Sequence, residues 1–208
     1  MKTPTKKEQL SALGRPRSFD YEKALDRALR VFWRKGYEGA SLSDLTKAMG
    51  INRPSLYAAY GDKEALFRKA LDRYTNGPVS YVHDALNQPT ARGVAERLLL
   101  GTAEQRCDAR NPAGCLLVQG ALVTGDTALS VRRELNSRRR AGQIALRQRL
   151  RRAKRERDLP PDSDPAVLAR YLMTVTNGMS VQAAGGASEK DLRKVAQTAL
   201  RAWPGKSG

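Results

Sequence analysis

Apolar positions along the chain recur mostly at intervals of three and four residues, which is the spacing of one face of an α-helix. In residues 21–35, for example, this face carries Leu25, Leu29, Phe32 and Trp33. No segment shows the sustained apolar–polar alternation, bounded by hairpin turns, that β-strands would give. The pattern therefore predicts an all-α protein.

Helix-breaking residues divide this pattern into successive helices. The first is predicted over 21–35, with Asp20 as its N-cap and Gly36 at its end. A later helix begins after Asp62, runs to about residue 75 and can resume after a short Asn-Gly-Pro break. Further helices are predicted over 91–106, 113–123, 127–157, 165–184 and 189–202.

Two short helices, each about two turns long, follow the first long one. Ser41 and Asp44 can form a capping box for the first of them, and Gly50 suits the left-handed turn that ends it. Asn52 can cap the second, with Pro54 in its first turn, where a missing N–H costs little. Two short helices joined by a tight turn, and braced by a preceding amphipathic helix, predict a helix-turn-helix.

The net charge of +17 indicates a polyanionic partner, most often nucleic acid. Residues 1–74 carry 16 Lys and Arg against 9 Asp and Glu, a net +7, and they contain the predicted helix-turn-helix. Residues 138–157 carry 10 against 1, a net +9. We expect this second block to be a solvated helix face, and an auxiliary nucleic-acid surface is the alternative.

A helix-turn-helix presents the N-terminal part of its second helix to the major groove of DNA. There Arg53 can make a bidentate contact to a guanine edge, and hydroxyl, amide or ammonium donors can bind phosphates. On the second helix we expect exposed side chains at Arg53, Ser55, Tyr57 and Tyr60, with Lys63 just beyond it. The candidate DNA-binding residues are Ser41, Ser43, Asn52, Arg53, Pro54, Ser55, Tyr57, Tyr60 and Lys63.

Residues 20–66 resemble the DNA-binding domain of the tetracycline-repressor (TetR/AcrR) family. The resemblance rests on the elements G-Y-x-G-A-S-L-x-D-L, A-M-G-I-N-R-P-S-L-Y-A-A-Y and D-K-E-A-L. Tyr57 and Lys63 fall on residues that are usual in the family, whereas Pro54 and Tyr60 replace a common Gly and a common Phe. The rest of the chain matches more loosely, through its number of helices.

The residue pattern predicts a flexible basic arm over 1–18, a helix-turn-helix domain over 19–66 and a further helical domain over 67–208. The resemblance assigns effector binding and dimerisation to the last of these. It implies a homodimer, joined through the last two helices, on a palindromic operator in double-stranded DNA. It also implies a cavity in the larger domain for a small apolar effector. Its candidate lining residues, which would serve equally well as core, are Leu117, Tyr171 and Val175.

Two cysteines offer a second kind of signal. Arg106 and Arg110 lie close to Cys107 in the sequence, and Cys115 falls near a predicted helix N-terminus. Both features lower the pKa of a thiol, so these cysteines could sense oxidants or electrophiles. The alternative is that Cys115 is a small buried hydrophobe, as free cysteines often are. A small-molecule effector is the favoured signal.

Several other classes of protein are not supported by the sequence. There is no P-loop, no GxGxxG after a strand and no G-x-S-x-G, so we expect neither a cofactor nor enzymatic activity. The one histidine, His83, stands apart from other metal ligands, so no metal site is expected. Without a secretory signal or an apolar run of about 20 residues, we expect a cytoplasmic protein that does not enter the membrane.

These observations predict a sequence-specific transcriptional regulator, and specifically a repressor that a small molecule releases from its operator. Two alternatives remain open at this stage. One is a regulator that senses oxidants or electrophiles through Cys107 and Cys115. The other is a basic protein that binds nucleic acid without sequence preference.

Overall fold

The computed structural model describes residues 19–123 and 128–204, and every regular element in these two ranges is a helix. The all-α prediction is therefore confirmed, while the predicted basic arm lies outside the described residues. In chain order the helices are α1 (Tyr21–Gly39), α2 (Leu42–Met49), α3 (Arg53–Tyr60), α4 (Lys63–Asn76), α5 (Tyr81–Leu86), α6 (Ala91–Arg106), α7 (Leu116–Val123), α8 (Leu129–Arg155), α9 (Pro165–Ala184) and α10 (Glu189–Arg201).

Side-chain caps explain why the first four helices begin where the sequence predicts. The first N–H groups of a helix have no partner within it, so a short polar side chain just before the helix stabilises its start. At Asp20, Ser41, Asn52 and Asp62 the side chain accepts the N–H of the residue three positions later. Asp44 bonds back to the Ser41 backbone and completes the predicted capping box.

The predicted start of α7 is wrong by three residues. The helix was expected from residue 113, but it begins at Leu116. Gly114 takes a left-handed conformation with φ of 83° and turns the chain before the helix. The first helical turn therefore forms after Cys115, whose carbonyl accepts the N–H groups of Val118 and Gln119.

Helices α1 to α3 and the first half of α4 enclose the smaller of two regions of core. Phe32 and Phe67 meet edge to face, with ring centroids 4.9 Å apart. Leu45 of α2, Leu56 of α3 and Leu66 of α4 are fully buried around them. Because this core takes side chains from all four helices, the two short helices are held although each is too short to be stable alone.

The larger domain is organised around α6, which packs against α5, α9 and α10. Its buried face is apolar over much of its length but ends in two polar residues, Thr102 and Arg106. Helix α8 covers α7 and α9 on another side. No helix in the described ranges is long and apolar enough to cross a membrane.

Replacing Gly50 by Ala should destabilise the protein by about 1–2 kcal/mol, because Gly50 has a φ of 72° and an L-residue is strained there. The new Cβ would meet only the Arg27 guanidinium, at 3.3 Å, so backbone strain is the main cost. Chemical denaturation measures the change. Gly142→Ala is the matched control: this helical glycine has open space around it, so Ala there should be neutral or stabilising.

Candidate nucleic-acid interface

The turn between α2 and α3 fixes how the second short helix is presented. Gly50 adopts a φ of 72° and a ψ of 32°, and its N–H donates to the carbonyls of Thr46 and Lys47. The N–H of Ile51 also donates to the Thr46 carbonyl, at 3.1 Å. Leu56 on the inner face of α3 is fully buried, so the helix cannot rotate about its axis without exposing that side chain.

The start of α3 leaves an unpaired cation at the surface. Arg53 is exposed, and it makes no hydrogen bond or ion pair within the described parts of the chain. Tyr57, one turn later, is 48% exposed, whereas Ser55 is half-buried. A free guanidinium and a phenol one turn apart can reach base edges and phosphates without breaking a bond inside the protein.

The remaining candidates near the turn have mixed roles. Ser43 and Pro54 are exposed. Ser41 and Asn52 are exposed too, but their side-chain oxygens are already used as helix caps. The Asn52 amide nitrogen stays available as a donor, since only the amide oxygen accepts the Ser55 N–H, at 2.8 Å.

The expectation that Tyr60 is exposed is wrong. Only 2% of its surface is accessible, and its hydroxyl donates to the Tyr21 carbonyl at 2.7 Å. Its ring stacks on that of Tyr21, with centroids 4.3 Å apart. Tyr60 is the last residue of α3, where the helix turns back onto the start of α1, so its side chain locks the two helices together and does not face solvent.

Lys63 lies at the first position of α4, half-buried, with its Nζ 4.5 Å from the centre of the Tyr37 ring. Burial lowers the pKa of this ammonium, and attraction to Glu38 opposes that shift. A cation over an aromatic face is held in one place at little cost. Lys63 is therefore a fixed charge at a helix N-terminus, and its predicted contact with a phosphate stays a prediction.

Two acidic groups near the interface, Asp44 and Asp26, are paired with bases of the same chain. Asp44 meets Lys35 at 2.8 Å, and this bond, together with those from Ser41, lowers the pKa of the carboxyl to about 2. Asp26 accepts two bonds from Arg73 on α4. Pairing reduces the repulsion that free carboxylates would exert on phosphates.

A second candidate site is a cavity of about 380 Å³ in the larger domain. Helices α4 to α9 all contribute to its wall. Leu117 lines it, but the expectation that Tyr171 and Val175 do so is wrong. The α9 residues in the wall are Met173, Thr176, Asn177 and Ser180.

Helical geometry explains the error on α9. At 100° per residue, positions 173, 176, 177 and 180 share one side of the helix, whereas 171 and 175 lie on the opposite side. The Tyr171 hydroxyl donates to the Ala199 carbonyl of α10, at 3.4 Å. Apolar periodicity located the buried faces of α9 but could not tell which of them borders the cavity.

A buried polar cluster forms part of the cavity wall, and the sequence analysis gave it no role. The Arg106 guanidinium donates to the hydroxyls of Tyr74 at 2.7 Å, Ser180 at 3.1 Å and Tyr81 at 3.3 Å. The Tyr74 hydroxyl donates to the Cys115 sulfur at 3.3 Å. Burial alone would lower the pKa of Arg106, but attraction to the ionisable groups of Cys115, Tyr74 and Tyr81 outweighs it and raises that pKa.

One signal for this cluster was present in the sequence. Polar residues four positions apart share a helix face, and such pairs on an apolar face must find partners when they are buried. Thr102 and Arg106 form one such pair on α6, and Thr176 and Ser180 form another on α9. Their meeting could not be predicted, because it depends on how the two helices cross.

The two cysteines have different surroundings. Cys107 is half-buried and donates to the Ala187 carbonyl at 3.5 Å. Burial, with a contribution from Glu189, raises the pKa of its thiol, so the expectation of a lowered pKa is wrong for Cys107. The reason is geometric: Arg110 turns to Asp108 and Arg106 turns into the cavity wall. Cys115 is buried and lines the cavity.

Metal binding finds no support in the described residues, where no three His, Cys, Asp or Glu side chains lie close enough to hold an ion. His83 is exposed on α5 at the edge of the cavity wall. The cavity wall offers the guanidinium groups of three arginines, several hydroxyls and one thiol among apolar side chains.

Two family models match the chain. Residues 24–70 match "Bacterial regulatory proteins, tetR family", and residues 95–199 match "Tetracyclin repressor-like, C-terminal domain". The first match contains the whole helix-turn-helix, and the second contains most of the cavity wall.

Two of the individual proteins named here are similar to this one over nearly the whole chain, and a third over about half of it. The HTH-type transcriptional repressor ComR of Escherichia coli K12 is 34% identical over 194 residues, 92% of each chain. BdcR, a repressor of the same organism, is 35% identical over 55% of this chain and 58% of its own. A solved structure of a cysteine mutant of the TetR family regulator CifR, with 26-base-pair operator DNA, is 44% identical, with a TM-score of 0.87 over 91% of this chain and 100% of that one.

Proposed function

The chain belongs to the tetR family of bacterial regulatory proteins, and on that premise we propose that it is a transcriptional repressor whose helix α3 recognises a specific operator sequence. The observation that carries this proposal is the free, exposed Arg53 at the start of a helix that a glycine turn and a shared core hold in place. Such a side chain can distinguish guanine from other bases.

Relatives support the repressor role. ComR and BdcR are named as repressors, and CifR is seen with operator DNA. The family is one of regulators, and no relative named above is an enzyme. A repressor acts on chromosomal DNA, so we propose that the protein works in the cytoplasm.

We propose that the protein acts as a homodimer joined through α9 and α10. On α9 the exposed Val167, Thr174, Gly178 and Val181 lie three, four or seven residues apart and so form one continuous stripe. Val195 adds an exposed apolar side chain on α10, 46% accessible. Exposed apolar residues that line up on adjacent helices are typical of a surface that a second copy covers.

We propose that a small molecule enters the cavity of the larger domain and releases the operator. Helix α4, whose first half contributes to the core of the helix-turn-helix domain, lines the cavity with its C-terminal end. Tyr74 of α4 borders Arg106, and its ring meets the edge of Trp33 on α1, with centroids 4.7 Å apart. Helix α1 also packs against α7. A ligand that shifts these groups would therefore move the helix that braces α2 and α3.

A thiol-directed signal is the second candidate, and Cys115 is the residue that favours it. Cys115 lines the cavity and its sulfur accepts a hydrogen bond from Tyr74, so this thiol is close to any electrophile that enters the cavity. Cys107 does not line the cavity, and the pKa of its thiol is raised. The two candidate signals therefore share one site, and they differ in whether a covalent bond forms.

The second basic block has structural partners for several of its cations. Arg138 pairs with Asp72 and Glu134, Arg149 donates to the carbonyls that precede α6, and Lys154 donates to the Ser163 carbonyl. These bonds favour the solvated, structural helix over an auxiliary nucleic-acid surface. A protein that bound nucleic acid without sequence preference would also not need the ordered surface of α3.

Arg53→Ala should weaken operator binding by about 1–3 kcal/mol and relax the base preference at one position of each half-site, because it removes a bidentate contact. Lys63→Ala should weaken binding to operator and to random DNA alike. The slope of log K against log salt concentration should become shallower by about one. Fluorescence anisotropy on a site enriched from a random pool measures both. Lys190→Ala, which removes an exposed charge on α10, is the control. Equal losses on both DNAs for Arg53→Ala would refute the base-reading role.

Purified protein should sediment as a dimer at micromolar concentration, and the enriched site should be an inverted repeat with half-site centres about one helical turn, or a small multiple, apart. Val181→Glu should shift the protein to monomer, since it places a charge in this exposed stripe of α9. Gln148→Glu, at an exposed position of α8, adds the same charge and should leave the dimer intact. A wild-type monomer on DNA would contradict the dimer proposal.

A small alkylating agent such as iodoacetamide distinguishes the two candidate signals. Its iodide leaves as the thiolate sulfur forms a carbon–sulfur bond. If Cys115 senses electrophiles, alkylation should release wild type and Cys107→Ser from the operator but not Cys115→Ala. Reversible effector binding, the first candidate, predicts no release that depends on Cys115. The double replacement Cys107→Ser with Cys115→Ala should then keep both operator binding and effector release.

A further inference from the structure

The cavity wall carries positive charge without a matching negative charge. Of the described residues that line it, three are arginines and none is an aspartate or a glutamate. Arg138 is neutralised from outside the cavity by Asp72 and Glu134, each at 2.7 Å. The charges of Arg106 and Arg139 remain.

Arg106 is only 5% exposed, and each of its three hydrogen bonds goes to a neutral hydroxyl. A guanidinium has five N–H donors, so two are not used in these bonds. A buried charge is costly unless a group of opposite charge lies against it. Hydroxyl groups orient the guanidinium but do not neutralise it, so the wall retains the charge of Arg106.

Arg139 of α8 adds a second donor. Its Nε is buried and makes no hydrogen bond in the described structure. Buried donors in native proteins nearly always have a partner, and because Arg139 lines the cavity, an acceptor on a ligand can supply one. Arg106 and Arg139 belong to different helices, so they line one cavity only because of the way α6 and α8 are packed.

The rest of the wall is largely apolar, with Leu98, Val118, Leu146 and Met173 among its residues. At about 380 Å³ the cavity falls within the range of small-molecule sites, roughly 300–1,000 Å³. We infer that the effector is an amphipathic anion, with a carboxylate-type head bound by Arg106 and Arg139 and an apolar body in the remainder of the cavity. This inference rests on the proposed effector role of the cavity and replaces the expectation of a wholly apolar effector.

Matched pairs of probes test the head group on the full-length protein. Hexanoate, octanoate, decanoate and phenylacetate are each compared with their primary amides, which have nearly the same shape and no charge, at constant pH and salt. Isothermal titration should show at least one carboxylate that binds tenfold or more tightly than its amide. If every amide matches its carboxylate, or if no carboxylate binds, the inference is wrong.

Variants assign the preference to residues. In Arg106→Gln the affinity for a carboxylate should be less than three times the affinity for its amide. In Arg139→Gln this ratio of affinities should fall to a third of the wild-type ratio or lower. Lys190→Gln removes a distant charge and should leave the ratio unchanged. Circular dichroism checks folding; if Arg106→Gln does not fold, the wild-type pairs and Arg139→Gln decide the question. An unchanged ratio in Arg139→Gln and in any folded Arg106→Gln would overturn the assignment.

Operator binding, measured for each variant without any probe, separates this inference from the proposed function. Intact operator binding with no preference for carboxylates would refute only the anionic effector. A carboxylate that binds as expected but leaves the operator bound would support the anionic site and contradict its role in release. Failure of wild-type protein to select any DNA sequence would refute the proposed repressor, whatever the titrations show.

Discussion

Helix α4 belongs to both regions of core, and the position of the DNA-reading helix depends on this double membership. Its first half places Leu66 and Phe67 in the core with α1, α2 and α3, and its second half places Tyr74 against Arg106 and Cys115 of the larger domain. A helix is stiff over this length, so the two ends cannot move separately. Whatever tilts the second half also tilts the base of the helix-turn-helix.

Tyr74 is the side chain through which such a movement would be transmitted. Its ring packs against Trp33 of α1, and its hydroxyl binds both the Arg106 guanidinium and the Cys115 sulfur. Arg106 is buried and is held by three hydrogen bonds to hydroxyl groups, which makes the network rigid. It is also poorly neutralised, because the only formal charge in it is that of Arg106. A site whose cation is held by hydrogen bonds but has no carboxylate partner is well suited to respond to an anionic ligand.

The DNA-binding half was largely predictable, because local signals determine it. Asp20, Ser41 and Asn52 cap helices through bonds to residues three positions later, and Gly50 alone meets the backbone demand of the tight turn. Interactions of such short range are visible in a sequence. Tyr60 is the exception. It has the composition of a surface donor, yet its partner, Tyr21, lies 39 residues away in the chain, so no local pattern could reveal its burial.

The amino-acid sequence by itself determined the helical class, the helix-turn-helix, the place of Arg53 at the start of its second helix and the basic character of the chain. Tertiary structure alone decided the cavity: which side of α9 borders it, that Cys115 lines it and Cys107 does not, and that Arg106 and Arg139 line the same space. The physical reason is how far apart in the chain the interacting residues lie. Caps, turns and amphipathic faces arise from residues a few positions apart, whereas a cavity is defined by the distances and rotations between helices that are remote in the chain.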